Sequence, residues 1–197
     1  MQRYNDNPDQ LIERGRTLRT WLSKPFNECH LFITLATNTG TTPSMAFKAL
    51  DLWYQSFNNK TVSREFYKLD SDELWNGWAF LEGNDLIEGG KETLHWHLML
   101  RPGIELPNDK YLALRRQTAD GKPEVAEKIA RLWKRGRPAR GPGRFHHEAK
   151  GFEKGTVDVQ FITDHPGCVA YCTKDLCRYG PHLVRAHNYA TPLPLKR

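Results

Sequence analysis

Two histidines at alternate positions are the residues of this chain most suggestive of chemistry. His95 and His97 flank Trp96 in an apolar segment, residues 94–100, that is predicted to be a strand. Because side chains at i and i+2 of a strand point to the same face, the sequence predicts that both imidazoles are presented together. Two adjacent imidazoles are half of a divalent-metal site, although they could also be polar residues on a solvated strand face.

A carboxylate ends the predicted strand that precedes this histidine pair. Residues 78–82 are apolar up to Glu82, and hairpin pairing of the two strands would bring Glu82 near His95 and His97. Glu88 and Glu92 in the connection are weaker candidates. Two nitrogens and one oxygen with open positions suit Mn²⁺ or Mg²⁺ acting on a phosphate. The alternative is that Glu82 is an ordinary surface residue at a strand end.

A tyrosine and a lysine lie one helical turn apart near the end of the chain. Asp164 is predicted to cap a helix that runs to residue 178, on which Tyr171 and Lys174 share one side at i and i+3. A tyrosine beside a lysine can act as a nucleophile with an electrostatic partner. The alternative is a surface tyrosine packed against a lysine stem. An apolar stripe on the same helix should face the sheet (Val169, Cys172 and Leu176).

These candidates must be positioned by a mixture of helices and strands. Hydrophobic periodicity predicts helices over residues 8–23, from Ser44 through 57, 108–118, 123–135 and 164–178, and strands over 30–37, 78–82, 94–100 and 156–163. The order helix-β-α-β-β-α-α-β-α predicts an α+β fold with a central antiparallel sheet flanked by helices.

Length and composition indicate a single globular domain in the cytoplasm. The chain has 197 residues, of which 39% are hydrophobic and 26% charged, enough to bury a core. No run of 18 apolar residues could cross a membrane, and the polar first residues do not form a secretory signal. Four cysteines are too few for a disulfide scaffold in a chain of this length.

The positive charge is concentrated in one segment. The net charge is +6, and residues 122–154 hold ten basic against four acidic side chains, which accounts for the whole excess. Residues 134–150 are predicted to form a basic loop, kept open by glycine and proline. Its cations suit contacts with DNA phosphates, unless the loop is simply solvated. The candidate DNA-binding residues are Lys134, Arg135, Arg137, Arg140 and Arg144.

Taken together, the motifs resemble those of the HUH endonucleases, specifically the single-tyrosine rolling-circle replication (Rep) proteins. The family's aromatic-aliphatic first motif matches residues 32–37, and its His-hydrophobic-His motif matches residues 95–97. Its Tyr-x-x-Lys motif matches Tyr171 and Lys174, and the carboxylate that many members place on the preceding strand matches Glu82. The resemblance covers residues 30–178, with 1–29 as an N-terminal helical extension and 180–197 as a C-terminal tail.

The resemblance implies a ferredoxin-like or RRM-like sheet that carries a Mn²⁺ or Mg²⁺ ion on one face. It implies that Tyr171 attacks single-stranded origin or hairpin DNA, forming a 5′-phosphotyrosyl intermediate and a free 3′-OH, with later rejoining. No Gly-x-x-x-x-Gly-Lys-Ser/Thr sequence is present, so a host helicase and a host polymerase are the expected partners. The chain departs from the pattern at Trp96, which is bulky, and at Asp175, where two-tyrosine members carry a second tyrosine. The residues around Tyr179 and Tyr189 give no indication that either tyrosine is a second nucleophile.

Three other functions compete with this interpretation. A single-tyrosine HUH transposase or relaxase-like protein would share the metal and the nucleophile, and Lys174 favours replication over it. A non-catalytic nucleic-acid-binding module would explain the charge but not the tyrosine motif. A structural zinc protein lacks the usual paired Cys-x₂-Cys spacing. Its ligands would come from His165, Cys168, Cys172, Cys177 and His182.

Overall fold

The computed structural model describes residues 8–25, 28–38, 40–83, 94–135, 155–174 and 185–188. Five helices lie in these ranges: α1 (Pro8–Leu22), α2 (Pro43–Thr61), α3 (Asn108–Arg115), α4 (Ala126–Arg135) and α5 (His165–Cys172). Five strands accompany them: β1 (Leu31–Ala36), β2 (Trp75–Glu82), β3 (His95–Pro102), β4 (Val157–Phe161) and β5 (Arg185–Asn188). Two short 3₁₀ turns, Phe66–Lys68 and Ser71–Glu73, precede β2.

The strands form one sheet in the order β4-β1-β3-β2-β5, and every neighbouring pair is antiparallel. The first four strands, with α2 and the α3–α4 pair as crossovers, follow the β-α-β-β-α-β arrangement of ferredoxin-like folds. The predicted α+β class is confirmed.

One face of the sheet builds the main core against α2, α3 and α4. Alternate strand residues such as Ile33, Trp96 and Leu98 are fully buried there, because every second side chain of a strand points to the same face. The indole of Trp133 in α4 donates a hydrogen bond to the Ala36 carbonyl (2.7 Å), which fixes α4 against the end of β1.

The opposite face is covered by α1 and α5, which contact each other. Leu22 of α1 and Val169 and Cys172 of α5 bury Phe80 and Met99 in a second cluster. The predicted inward stripe of α5 is confirmed at its two described members, and Leu176 lies outside the described residues. The predicted end of this helix at residue 178 is wrong, because α5 ends at Cys172 with Thr173 as its C-cap, so Lys174 lies just beyond it. Within the described helices, none is long and apolar enough to span a bilayer.

Several element boundaries differ from the predictions. Strand β2 begins three residues early, at Trp75, and includes Gly77, whose φ of +151° and closeness to the Met99 carbonyl leave no room for a Cβ. Thr42 rather than Ser44 caps α2, because Pro43 occupies its first turn. Arg185–Asn188, predicted to be tail, pairs with β2 as strand β5.

Candidate active site

The sheet register places the two histidines and the carboxylate together. Glu82 of β2 lies directly opposite His95 of β3, and His97 lies two residues along the same strand. All three side chains therefore project from the face covered by α1 and α5. The proximity follows from the antiparallel pairing of neighbouring strands, in which opposed residues share a face.

The three side chains form a compact set of metal-ligating atoms. Nε2 of His97 lies 2.8 Å from Oε2 of Glu82, and Nε2 of His95 lies 3.5 Å from the same oxygen. One ligand atom from each residue falls within 4.8 Å of the others. Neighbouring ligands of an octahedral ion at 2.0–2.1 Å lie about 3 Å apart, close to the 2.8 Å and 3.5 Å that separate the two imidazole nitrogens from the Glu82 oxygen, so this group could hold a cation.

A hydrogen bond fixes which nitrogen of His97 faces Glu82. The Thr34 hydroxyl of β1 lies 3.2 Å from Nδ1 of His97, directly across the strand pair. Nε2 is buried and makes no hydrogen bond among the described residues, although the Glu82 carboxylate is 2.8 Å away. A buried nitrogen that faces a carboxylate oxygen at 2.8 Å could coordinate a cation together with that carboxylate.

Lys174 supplies the positive charge nearest to Glu82. Its Nζ lies 2.9 Å from Oε1, while the two imidazoles approach Oε2. Polar contacts with His95 and His97, followed by Lys174, hold the pKa of the Glu82 carboxyl far below its usual range and outweigh the opposing effect of burial. Glu82 is therefore an anion at neutral pH, as a metal ligand must be.

Tyr171 stands beside this set with its side chain open to solvent. Its ring centroid lies 5.1 Å from that of His97, and the residue is 47% exposed. The Nζ of Lys174 sits 4.2 Å from the centre of the tyrosine ring, within cation–π range. Phe32 stacks on His97 at 5.5 Å and meets Tyr171 edge-on at 6.0 Å. The phenol is thus held next to a candidate metal centre and a lysine charge.

Helix α5 owes its position to capping and to its apolar side. The Asp164 side chain accepts a hydrogen bond from the Gly167 amide (3.0 Å), as predicted for an N-cap. Val169 and Cys172 fasten the opposite side of the helix to the sheet. Tyr171 follows Val169 by two residues, which places it on the other side of the helix. Its side chain therefore points away from the cluster toward solvent.

The structure brings Glu82, His95, His97, Tyr171 and Lys174 into one place. Only the first two residues of the predicted basic loop are among the described residues. Lys134 and Arg135 form the last turn of α4, in agreement with the helix predicted over residues 123–135, so they belong to this helix and not to the loop predicted over residues 134–150. Helix α4 is amphipathic to its end, and Trp133 anchors this turn to the sheet. The other predicted cations (Arg137, Arg140 and Arg144), the spare tyrosines (Tyr179 and Tyr189) and the weaker carboxylates (Glu88 and Glu92) lie outside the described residues.

Two contributors to the site, Thr34 and Phe32, lie in the segment that matches the family's first motif but were not predicted as site residues. Both lie on β1, more than 60 residues before His97, so only the pairing of β1 with β3 brings them to it. The strand alternation that places Phe32, Thr34 and Ala36 on one face was the available signal.

Within the described residues, the cysteines and histidine predicted for a structural zinc site do not form a metal-ligating group. Among the described residues, Glu82, His95 and His97 are the only group of three or more metal-ligating side chains close enough to share an ion. Cys172 is buried in the second cluster and Cys168 packs against it, while Cys177 and His182 lie outside the described part of the chain. Burial raises the pKa of the Cys29 thiol to about 12, which keeps it protonated.

Comparisons of the chain with protein-family models, curated proteins and solved structures each found no match.

Proposed function

We propose that this protein is a metal-dependent endonuclease and strand transferase that cuts single-stranded DNA through a tyrosine. The observation that carries the proposal is the approach of the exposed Tyr171 to a partly buried ligand set, with the Lys174 charge in contact with both Tyr171 and Glu82. A solvated strand face would require neither the Glu82–Lys174 ion pair nor a nitrogen held toward Glu82.

In the proposed reaction, the Tyr171 oxygen forms a bond to phosphorus and the bond from phosphorus to the 3′ oxygen breaks. The phenol proton is released, and the departing 3′ oxygen takes up a proton to become a free hydroxyl. The chain keeps the 5′ phosphate as a phosphotyrosyl ester. Reversal with another 3′ hydroxyl rejoins the strand and restores the tyrosine.

Residues of the chain have separate tasks in this step. Glu82, His95 and His97 would hold Mn²⁺ or Mg²⁺, which supplies Lewis acidity to a non-bridging phosphate oxygen. Lys174 orients the tyrosine and favours its anion, because an ordinary phenol is mostly protonated at neutral pH. Thr34 keeps the His97 ring in one orientation.

Initiation of rolling-circle replication is the setting we propose for this chemistry, with single-stranded origin or hairpin DNA as substrate. The order of the three motifs and the lysine three positions after the tyrosine support it. We further propose that a host helicase and a host polymerase act with the protein in the cytoplasm. A single-tyrosine transposase would use the same site on the ends of a mobile element.

Incubation with a pool of randomised single-stranded oligonucleotides tests the proposal. We expect a protein–DNA adduct that survives SDS, forms with Mn²⁺, and is absent with EDTA or in Tyr171→Phe. Tyr67→Phe is the matched control, because Tyr67 is also exposed but lies on a 3₁₀ turn that precedes β2. Binding of the pool without any adduct would instead support the non-catalytic binding module.

A further inference from the structure

The exposed face of α4 carries a row of cations. Lys128, Arg131 and Arg135 recur at i, i+3 and i+7, with Lys134 beside them, and all four are exposed. Ile129 and Trp133 on the opposite face are buried in the main core, so this orientation is fixed. Glu127 is the only acidic residue of the helix. The row therefore presents four positive charges along about 10 Å of helix.

These cations are not neutralised within the described chain. None of the four forms an ion pair with a described residue, whereas Lys68 and Lys122 pair with Glu65 and Asp120. The charges recur along one side of the helix, so several of them can contact the phosphates of one nucleic-acid backbone. A face of this kind suits a polyanion that is contacted without regard to sequence.

The row also lies at the end of the sheet that holds the candidate active site. Trp133 bonds to the carbonyl of Ala36, and Ala36 lies opposite His95 in the sheet. Helix α4 contacts β4, the outer strand next to β1 in the described sheet. The row and the metal ligands are thus on opposite faces of the same sheet end, and strands β1 and β4 lie between His95 and this edge of the sheet.

We propose that the α4 face, Lys128, Arg131, Lys134 and Arg135, binds the DNA backbone outside the segment that is cut. In this arrangement the DNA passes around the β4 edge, from Tyr171 on one face of the sheet to α4 on the other. The inference rests on the proposed function for the identity of its ligand. The shared chemistry is a phosphodiester backbone, which either a single-stranded extension or a duplex flank could supply.

Salt dependence of binding tests the proposal independently of cleavage. In a Tyr171→Phe background, the four α4 cations are changed together to Gln, and affinity is measured for a 30-nucleotide oligo-dT and for a 20-base-pair mixed-sequence duplex. The control changes four exposed cations elsewhere to Gln, with the same loss of net charge (Lys60, Arg64, Lys68 and Arg116). Circular dichroism confirms that both variants fold.

We expect the plot of log affinity against log salt concentration to be less steep for the α4 variant, by the equivalent of about two to three phosphate contacts. Each contact contributes about 0.7 to this slope for single strands or 0.9 for duplex. The control variant should change the slope by less than one contact. A loss on oligo-dT alone identifies a single-stranded extension, and a loss on duplex alone identifies a duplex flank. Equal slopes for the α4 and control variants on both probes would overturn the inference. Absence of any covalent adduct with unmodified protein would overturn the proposed function and leave this result intact.

Discussion

At the scale of single residues, the account depends on how His97 is held. Its ring is placed between the Thr34 hydroxyl at Nδ1 and the Glu82 carboxylate at Nε2, and it stacks on Phe32. Residues that orient a metal-ligating histidine commonly change metal affinity by 10–100-fold when they are replaced.

We therefore expect Thr34→Val, which removes the hydroxyl and keeps the shape, to weaken Mn²⁺ binding by about 10-fold or more. Thr34→Ser keeps the hydroxyl and should bind nearly as the unmodified protein does. Calorimetric titration measures the affinities, and ¹⁵N NMR of the His97 ring in metal-free protein reports the loss of one tautomer. Equal Mn²⁺ affinity for the Val and Ser variants would show that Thr34 has no such role.

Lys174 should have opposite effects on metal binding and on reaction. Its ammonium shares Glu82 with any bound cation, so Lys174→Met should raise Mn²⁺ affinity by up to about tenfold through loss of repulsion. The same change should slow adduct formation by about 100-fold, because positive charge beside the phenol is lost. Lys174→Arg keeps the charge. Its Mn²⁺ affinity and its rate of adduct formation should therefore lie between those of the unmodified protein and those of the Met variant. Weaker Mn²⁺ binding by the Met variant would contradict the assignment.

At the scale of elements, the contact between β2 and β3 determines whether the site exists. Gly77 lies so close to the Met99 carbonyl that an added Cβ would overlap with its oxygen. Both strands carry site residues, Glu82 on one and His95 and His97 on the other. A disturbance at Gly77 therefore separates the ligands as well as the strands.

Gly77→Ala should lower the free energy of unfolding by more than about 3 kcal/mol, since neither backbone can move without breaking the ladder. Gly121→Ala is the matched control. It also has positive φ, at +78°, but no atom lies within 4 Å of its added Cβ. That change should cost only about 1–2 kcal/mol. Urea unfolding gives both values, and similar losses for the two variants would contradict the described contact.

His30, immediately before β1, predicts a pH dependence of stability. Burial, with a smaller effect of the nearby Arg115, lowers the pKa of His30 below its usual 6.5. Between pH 6.5 and the folded-state pKa, the unfolded chain binds a proton at His30 that the folded protein does not. The stabilisation is therefore complete above about pH 6.5 and is lost as pH falls through the folded-state pKa.

Unfolding in urea at pH 7.5 and pH 5.5 checks this expectation. The unmodified protein should lose more stability on acidification than His30→Gln, which cannot titrate. All other histidines are common to both proteins, so their contributions cancel in the comparison. Identical losses would show that His30 titrates alike in both states.

At the scale of the whole molecule, the sequence predicted the class of fold because its strands and helices have clear periodicity. Hydrophobic segments predicted the four-strand core and the presence of all five helices, although α5 ends at Cys172 and not at the predicted residue 178. Strand β5 was missed because Arg-Ala-His-Asn has neither alternation nor β-branched residues, and only its pairing with β2 reveals it. Trp75–Gly77 was missed because asparagine and glycine are unusual inside a strand.

The candidate site was predictable to the extent that it depends on local spacing. His95 with His97, and Tyr171 with Lys174, are close in sequence, and Glu82 lies on the adjoining strand. The contacts of Lys174 with Glu82 and of Thr34 with His97 join residues about 90 and 63 positions apart. Such contacts are determined by the packing of the whole sheet and α5, which no local pattern encodes.

The most direct test of the central claim is to locate the attachment of DNA by mass spectrometry. Protein incubated with Mn²⁺ and the randomised oligonucleotide pool is digested with nuclease and trypsin. Cleavage after Lys154 and Lys174 releases residues 155–174, which contain Tyr171 as their only tyrosine, whereas Tyr179 and Tyr189 fall in other peptides. If the proposed reaction is correct, this peptide carries a phosphate-linked nucleotide on Tyr171. A nucleotide on any other residue, or a Mn²⁺-treated sample with none, would contradict it.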